Sequence, residues 1–430
     1  MSTKRWTPTD DIASVTLWGR LLGVVKATHR SVSFSFDDSW VNSGVEVSPL
    51  KMPLIRGEVY QFNELLRKHT FQGLPGLLAD ALPDQFGCAV AAAFLAKRGK
   101  VFEELSPVHK LRYMGCRSMG ALEFEPALET VKDNPDFLEV RALVEQSRRL
   151  ISGTIDGDGA LNLTETFSEL IRVGGSAGGA RPKAVVLWDD QAKTIRSGFA
   201  KPHKNEKAWL IKFDGTGTME NPDATPKPYN RIEYVYSLMA RAAGIEMAPT
   251  FLHEDGPYAH FMTQRFDREG GQKHHVHSLG GLMHVDFNEP QSIDYLDLLS
   301  VCRRMGSSHD RLEQMFRRIA FNIIAVNQDD HVKNFAFMMK DGQPWDLAPA
   351  YDLSFVKGIG WTRNHQIRLM GHFNIDRAEA LIDEVTEAVS QWPTTARQNQ
   401  VPERYIDTIA LEHRLFLGRP KKTPKPQRKI

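Results

Sequence analysis

The stretch that most constrains the fold of this 430-residue sequence runs from residue 311 to 355, RLEQMFRRIAFNIIAVNQDDHVKNFAFMMKDGQPWDLAPAYDLSF. Leu312, Met315, Phe316, Ile319, Ile323 and Ile324 recur at helical spacing, which predicts a long buried helix ending near Asn327. The polar run QDDHVKN follows. Then come the apolar FAFMM, a turn at Lys340-Asp341-Gly342-Gln343 and the segment WDLAPAYDLSF, a pattern that predicts a two-stranded hairpin with an aspartate beyond it. A rigid helix and a hairpin therefore bracket a short loop that carries two aspartates, a histidine and an asparagine.

A chain of this length exceeds what one hydrophobic core supports, so two or more units are expected. Residues 13 to 36 alternate apolar and polar side chains and predict antiparallel strands. Helical patterns follow at Tyr60 to Leu66 and Asp84 to Leu95, and Pro126 marks a break, placing a boundary near residue 128. Thr166 and Glu169 have capping-box spacing ahead of a short helix, TFSELIRV. AVVLW, TIRSGF and WLIKF then read as a meander of strands. A helix is predicted at Asn230 to Ala243, with Gly244 as its stop, and a strand pair turns at Asp255-Gly256. Beyond Asp267 the pattern is mostly helical. The expected class is α+β, a protein-kinase-like two-lobed fold with a small N-terminal α/β subdomain. Its divisions are an N-terminal unit at 1–128, a β-rich lobe at 129–266, a helical lobe at 267–418 and a basic, disordered tail at 419–430.

Bulk charge names no partner, because 54 Lys and Arg balance 53 Asp and Glu. The three cysteines fit neither a disulfide framework nor a zinc motif. No run of 18 apolar residues occurs and the N-terminus lacks a signal-peptide core. A soluble cytoplasmic protein with no membrane contact is the expectation.

Two features carry chemistry. The loop VGGSAGGARPKAVV, residues 173–186, has the glycines of a phosphate cradle but fits neither the Walker A nor the dinucleotide pattern. Its Ser176 is either a turn-satisfying hydroxyl or a regulatory site. The second is QDDHVKN. Kinase catalytic loops set a base aspartate five residues before a metal-binding asparagine, with a later aspartate for metal. Asp329 and Asn334 have that spacing; Asp330 does not, since Phe335 lies five residues beyond it. Asp352 follows the hairpin where the metal-binding aspartate belongs. Lys212, in WLIKF, reads as the phosphate-directed lysine. Glu233 is either its ion partner or a surface charge of the helix. His331 either touches phosphate or orients the loop. His274, His275 and His277 lie in GGQKHHVHSLGG, which reads as a mobile loop and not as a metal site, for want of acidic or cysteine ligands nearby.

NQDDHVKN, LAPAYDL, the serine loop with its Lys183, and FMTQRFDR together resemble the HipA family of serine/threonine kinases, toxins of bacterial toxin–antitoxin systems. That resemblance spans about Val173 to Phe355, and LPDQFG and MGCRSMGALEFEP extend it loosely to the N-terminal unit. It implies ATP and Mg²⁺ as cofactors and Asp329 as catalytic base, with Asn334 and Asp352 on the metal. Lys212, Gly178, Gly179, Lys183 and His331 would serve the nucleotide, Gln264 and Phe266 would lie beside adenine, and Ser176 would be autophosphorylated. It further implies a protein substrate such as an aminoacyl-tRNA synthetase, a HipB-like helix-turn-helix antitoxin as partner, and operator DNA reached through that antitoxin. Arg181-Pro182 departs from the family pattern, which has an amide and an acidic residue before the loop lysine. A small-molecule kinase of the same fold and a DNA-associated co-repressor without turnover are the competing readings.

Overall fold

Alternation of side chains builds the first sheet. In β1 (Ile12–Leu17), β2 (Arg20–Ala27) and β3 (Val32–Phe36) the inward residues are buried, and β4 (Tyr60–Gln61) and β5 (Leu122–Glu125) complete an antiparallel order β4-β3-β2-β1-β5. Trp18 and Gly19, with φ of 52° and 70°, make the tight turn between β1 and β2. Val15, Leu17, Val25, Phe34 and Phe124 pack with Trp40 of α1 (Asp38–Ser43) and Leu77 and Leu78 of α2 (Gly76–Ala79). The computed structural model describes residues 11–96, 99–128, 138–151, 170, 181–216, 227–289, 293–357, 375 and 377–418.

The helix expected at Tyr60 to Leu66 does not form. Tyr60 instead pairs with Phe34 on β3 and buries its ring, and a single 3-10 turn follows at Asn63–Leu65. Sheet pairing overrides local helical spacing here. The second predicted helix is present as α3 (Gln85–Ala96), with Asp84 accepting from Gly87 N at 2.6 Å, followed by α4 (Pro107–Met114) and α5 (Val140–Ile151).

A second antiparallel sheet runs β7-β6-β8-β10-β9, from β6 (Lys183–Asp189), β7 (Thr194–Ser197), β8 (Glu206–Lys212), β9 (Thr250–Asp255) and β10 (Tyr258–Gln264). Six of the seven β6 residues are buried, because α3 and α5 supply Phe86, Val90, Phe94, Leu143 and Leu150 to the core under Val186, Trp188 and Ile211. The helix expected at TFSELIRV and the glycine loop lie outside the described residues, apart from Leu170 and the segment from Arg181 onward.

GGQKHHVHSLGG is not an irregular loop. Gly270 and Gly271 turn between β11 (Arg268–Glu269) and β12 (Gln272–Lys273), and His275 to Ser278 form β13 (His275–Ser278) ahead of α7 (Leu279–Met283). β13 pairs with β14 (Ala336–Met339), which pairs with β15 (Trp345–Leu347), so the predicted FAFMM hairpin becomes part of a three-stranded sheet.

The chain divides into two compact units, and all of these sheets belong to the first, residues 1–230, 248–294 and 331–349. The second, residues 231–247, 295–330 and 350–430, is helical among its described residues. It holds most of α6 (Tyr229–Ala242), then α8 (Tyr295–Arg304), α9 (His309–Ile324), α10 (Ala378–Ser390), α11 (Trp392–Gln398) and α12 (Glu403–Glu412). The predicted face of α9 is buried, and from Met315 to Ile324 so is every other residue. Arg317 tolerates this because its Nη1 donates to Ala243 O at 2.5 Å and to Glu384 at 2.6 Å. Tyr236 of α6 is wedged between Phe321, Trp392 and His413 and donates to Ala325 O at 2.6 Å. Among the described residues no helix is long and apolar enough to cross a membrane.

Burial pushes the imidazoles of His275 and His284 down to about 3 and those of His260 and His413 to about 4. The unfolded chain carries these groups near their ordinary value of about 6.5. Between the folded and unfolded values the unfolded state binds more protons, so stability rises with pH across about 3 to 6.5 and is lost on acidification through it. Unfolding at about pH 5 is expected to take up roughly four protons through these imidazoles. Potentiometry of the unfolding step reads that number directly, and an uptake below one proton contradicts it.

Candidate active site

In the first unit the two lysines singled out from the sequence stand opposite each other, since Lys183 on β6 pairs in register with Lys212 on β8. Cross-strand partners project to one face of a sheet. Lys183 is buried, and its Nζ lies 2.9 Å from Asp84 Oδ2 as an ion pair without hydrogen-bond geometry. Each side chain is 5% exposed, a depth at which either charge alone is strongly unfavourable. Asp84 belongs to LPDQFG and doubles as the cap of α3. Lys212 is half-buried, with its ammonium 5.9 Å from the ring centroid of Phe261, its neighbour on β10. Arg181, the departure from the family pattern, lays its guanidinium 3.9 Å over the Tyr229 ring.

Gln264 ends β10 opposite Trp209, and its N–H donates to Pro249 O at 2.8 Å. Phe266 follows between Arg265 and Asp267. Asp267 is fully buried, paired with Arg265 at 2.6 Å and Arg268 at 2.8 Å, and accepts from Gly120 N at 2.7 Å. Burial pushes its carboxyl up, but the two guanidiniums outweigh burial and hold it well below the usual carboxylate range. Arg268 also donates to the carbonyls of Gly120 and Ser118. QRFDR is thus clamped onto MGCRSMGALEFEP.

Asn334 sits just ahead of β14, in a turn closed by its N–H on His331 O at 2.8 Å. The His331 ring lies 5.2 Å from that of Phe287, and Lys333 Nζ stands 5.2 Å over the same ring. Gly280 N donates to Val332 O at 3.1 Å and Leu279 N to Phe335 O at 2.8 Å, so α7 grips the backbone on both sides of Asn334.

In the second unit Asp329 follows a pinned segment. Asn327 forms a parallel bridge with Val356, Gln328 N donates to Val356 O at 2.9 Å, and Val356 N donates to Val326 O at 3.1 Å. Asp330 accepts a short hydrogen bond from the Tyr295 hydroxyl. Burial, then the Asp330 charge, drives that phenol well above its usual value. Asp352 has φ of 56°, a left-handed conformation that Asp tolerates better than most residues. Ahead of it, Ala350 bridges Met247 and donates its N–H to Glu246 O at 2.8 Å. Glu233, open in the sequence between an ion partner and a surface charge, is only 3% exposed on α6, a burial that a carboxylate sustains only with a partner.

Lys183, Lys212, Gln264, Phe266, His331 and Asn334 therefore belong to the first unit, and Asp329, Asp352 and Glu233 to the second. Ser176, Gly178 and Gly179 lie outside the described residues. Two groups escaped the sequence reading, Asp84 as counter-ion of Lys183 and Asp267 as the clamp of QRFDR. Both lie in stretches that carry the family resemblance, but which cation each serves is a tertiary fact. Of the histidines of GGQKHHVHSLGG, His275 and His277 are strand residues of β13 and His274 lies between β12 and β13, and all three are buried.

The family described as HipA-like C-terminal domain matches residues 175–414, and that described as HipA N-terminal domain matches residues 13–125. No curated protein matches the sequence. Among solved structures, the chain is similar to one in the Shewanella oneidensis MR-1 toxin–antitoxin complex of HipA, HipB and its operator DNA. The TM-score is 0.61 at 14% identity, covering 93% of this chain and 95% of that one, a likeness of fold. The Helicobacter pylori proinflammatory kinase CtkA aligns with a TM-score of 0.29 at 13% identity over 49% of this chain and 91% of that one. The mixed α+β class expected from the sequence is the class observed, with antiparallel sheets throughout the described residues.

Proposed function

This chain belongs to the HipA family, and on that footing we propose that it is an ATP- and Mg²⁺-dependent protein serine/threonine kinase and the toxin of a toxin–antitoxin pair. The observation that carries the reading is the local geometry of DDHVKN. Asp330 is committed to Tyr295, Asn334 is turned back on His331, and backbone hydrogen bonds fix the chain before and after the stretch. Residues with a part in the chemistry need a backbone that is held within its own unit in this way.

The roles follow from chemistry. Asp329 accepts the proton of the target hydroxyl as that oxygen bonds to the γ-phosphorus and ADP departs. Asn334 and Asp352 would hold Mg²⁺, since one amide oxygen and one carboxylate are the hard donors that ion takes when phosphate oxygens complete its shell. When bound, the ion neutralises charge on the transferring phosphoryl group. Lys212 would serve the α and β phosphates, and Lys183, His331, Gly178 and Gly179 would serve the same nucleotide. Gln264 and Phe266 would lie beside adenine. In domain terms, 129–266 is the nucleotide lobe, 267–418 the catalytic lobe, and 1–128 an accessory unit.

The substrate class is a serine in a translation-related protein, such as an aminoacyl-tRNA synthetase, in the cytoplasm. The partner is a HipB-like helix-turn-helix antitoxin through which operator DNA is reached, in keeping with the assembly named for the Shewanella protein. Purified protein incubated with γ-labelled ATP, Mg²⁺ and a cell lysate is expected to label protein serine or threonine. Label confined to small molecules replaces this reading by a small-molecule kinase.

Ser176 is the proposed autophosphorylation site and off-switch. A phosphate there adds roughly 1.5 to 2 negative charges to a loop that must itself receive a triphosphate. The phosphorylated form is expected to bind ATP at least about 10-fold more weakly, a cost of about 1.4 kcal/mol. Calorimetry that finds equal affinity for both forms refutes the switch.

A further inference from the structure

Ser48, His277 and Asp80 line up as a nucleophile, base and acid would. His277 Nδ1 lies 2.8 Å from Asp80 Oδ2, and His277 Nε2 lies 3.2 Å from Ser48 Oγ. Ser48 and His277 are both fully buried, so no substrate carbonyl reaches the hydroxyl. The chain is a brace, and its business end is Asp80. That carboxylate takes three hydrogen bonds from the end of β13 and the cap of α7: Ser278 N and His277 Nδ1 on Oδ2, each at 2.8 Å, and the Ser278 hydroxyl on Oδ1 at 2.7 Å. Ser278 Oγ in turn accepts from Gly281 N at 3.0 Å and caps α7.

The cap decides where the next two N–H groups point. They are those of Leu279 and Gly280, and they donate to Phe335 O and Val332 O, the carbonyls that bracket Lys333 and Asn334. The approach of α2 to α7 is close enough to require two glycines. A Cβ on Gly76 would lie 1.9 Å from Gly281 O, and one on Gly281 would lie 2.3 Å from Asp80 Oδ2. His284, at the end of α7, accepts from Gly76 N at 3.0 Å and locks the same contact from its other side.

We propose that Asp80 is a positioning residue for Asn334, holding the Val332–Phe335 backbone in place through Ser278 and the first turn of α7. The inference rests on the kinase reading, in which Asn334 is a metal ligand, and gives the segment matched as the HipA N-terminal domain a part in the chemistry. A partner that orients a metal ligand through one further residue commonly changes metal affinity by about 10- to 100-fold when lost.

The test uses the full chain and two readouts. Asp80→Asn is expected to raise the Mg²⁺ concentration for half-maximal ATP-dependent phosphorylation by about 10-fold, with activity recovered at high Mg²⁺. The same variant is expected to speed amide hydrogen exchange at residues 331–335 while β6 and β8 exchange as in wild type. Ser278→Ala, a milder change, moves both in the same direction if Asp80→Asn folds poorly. Ser48→Ala removes only the far end of the brace and leaves the Mg²⁺ half-saturation unchanged. An Asp80→Asn protein with lowered thermal stability but wild-type Mg²⁺ dependence and wild-type exchange at 331–335 overturns the role given to Asp80 and leaves the kinase standing. A wild type without Mg²⁺-dependent transfer overturns the kinase reading and this inference with it.

Discussion

An Asp329→Asn protein is expected to fold and bind ATP as the wild type does and to transfer phosphate roughly 10²- to 10⁴-fold more slowly. Asparagine keeps the size and polarity of the side chain but takes no proton from the attacking hydroxyl. The segment before Asp329 is fixed by backbone hydrogen bonds between Val326, Gln328 and Val356, which the substitution does not touch. Its neighbour makes the contrast. Asp330 accepts from the Tyr295 hydroxyl, so Asp330→Asn trades a charge-assisted hydrogen bond for a neutral one and is expected to lower stability more than turnover. Single-turnover transfer rates beside thermal melts separate the two variants. Equal rates for wild type and Asp329→Asn remove Asp329 from the role of base.

Asp267→Ala is expected to cost about 3–5 kcal/mol of stability. The substitution leaves Arg265 and Arg268 charged, with Arg265 only 2% and Arg268 15% exposed, and it orphans the buried Gly120 N–H. Burying the carboxylate is unfavourable by itself; leaving two guanidiniums without it is worse. Because Asp267 ties QRFDR to the turn at Gly120, the loss should appear as earlier unfolding of the whole first unit and not as a local fray. Urea unfolding followed by tryptophan fluorescence measures it, and a loss below about 1 kcal/mol means that the pair is solvated as a surface pair is.

What could be read from residue order is uneven, for physical reasons. The strands of residues 13 to 36, the buried face of α9 and the stop of α6 at Gly244, with φ of 74°, are local patterns and were legible. Tyr60 was not, because its helical spacing loses to a pairing with Phe34. GGQKHHVHSLGG does not show its sheet, because Gly270 and Gly271 mark a tight turn and Gly280 and Gly281 belong to α7, while the strand pairing of His275 and His277 comes from Met339 and Phe337, far along the chain. Glu233 stays open between an ion partner and a surface charge in the sequence, because helical periodicity does not say which polar residue is covered by a neighbouring element. The candidate site divides in the same way. The spacing of Asp329 and Asn334 is a local signal, whereas the partner of Lys183, the clamp on QRFDR and the brace from Asp80 join residues about a hundred or more positions apart.

The most direct measurement is a map of phosphorylated sites by mass spectrometry in cells expressing the wild-type chain or its Asp329→Asn variant, each without an antitoxin. The account predicts phosphoserine or phosphothreonine on Ser176 of the chain and on at least one protein of the translation apparatus, in the wild type alone. A map in which no protein site depends on Asp329 contradicts it.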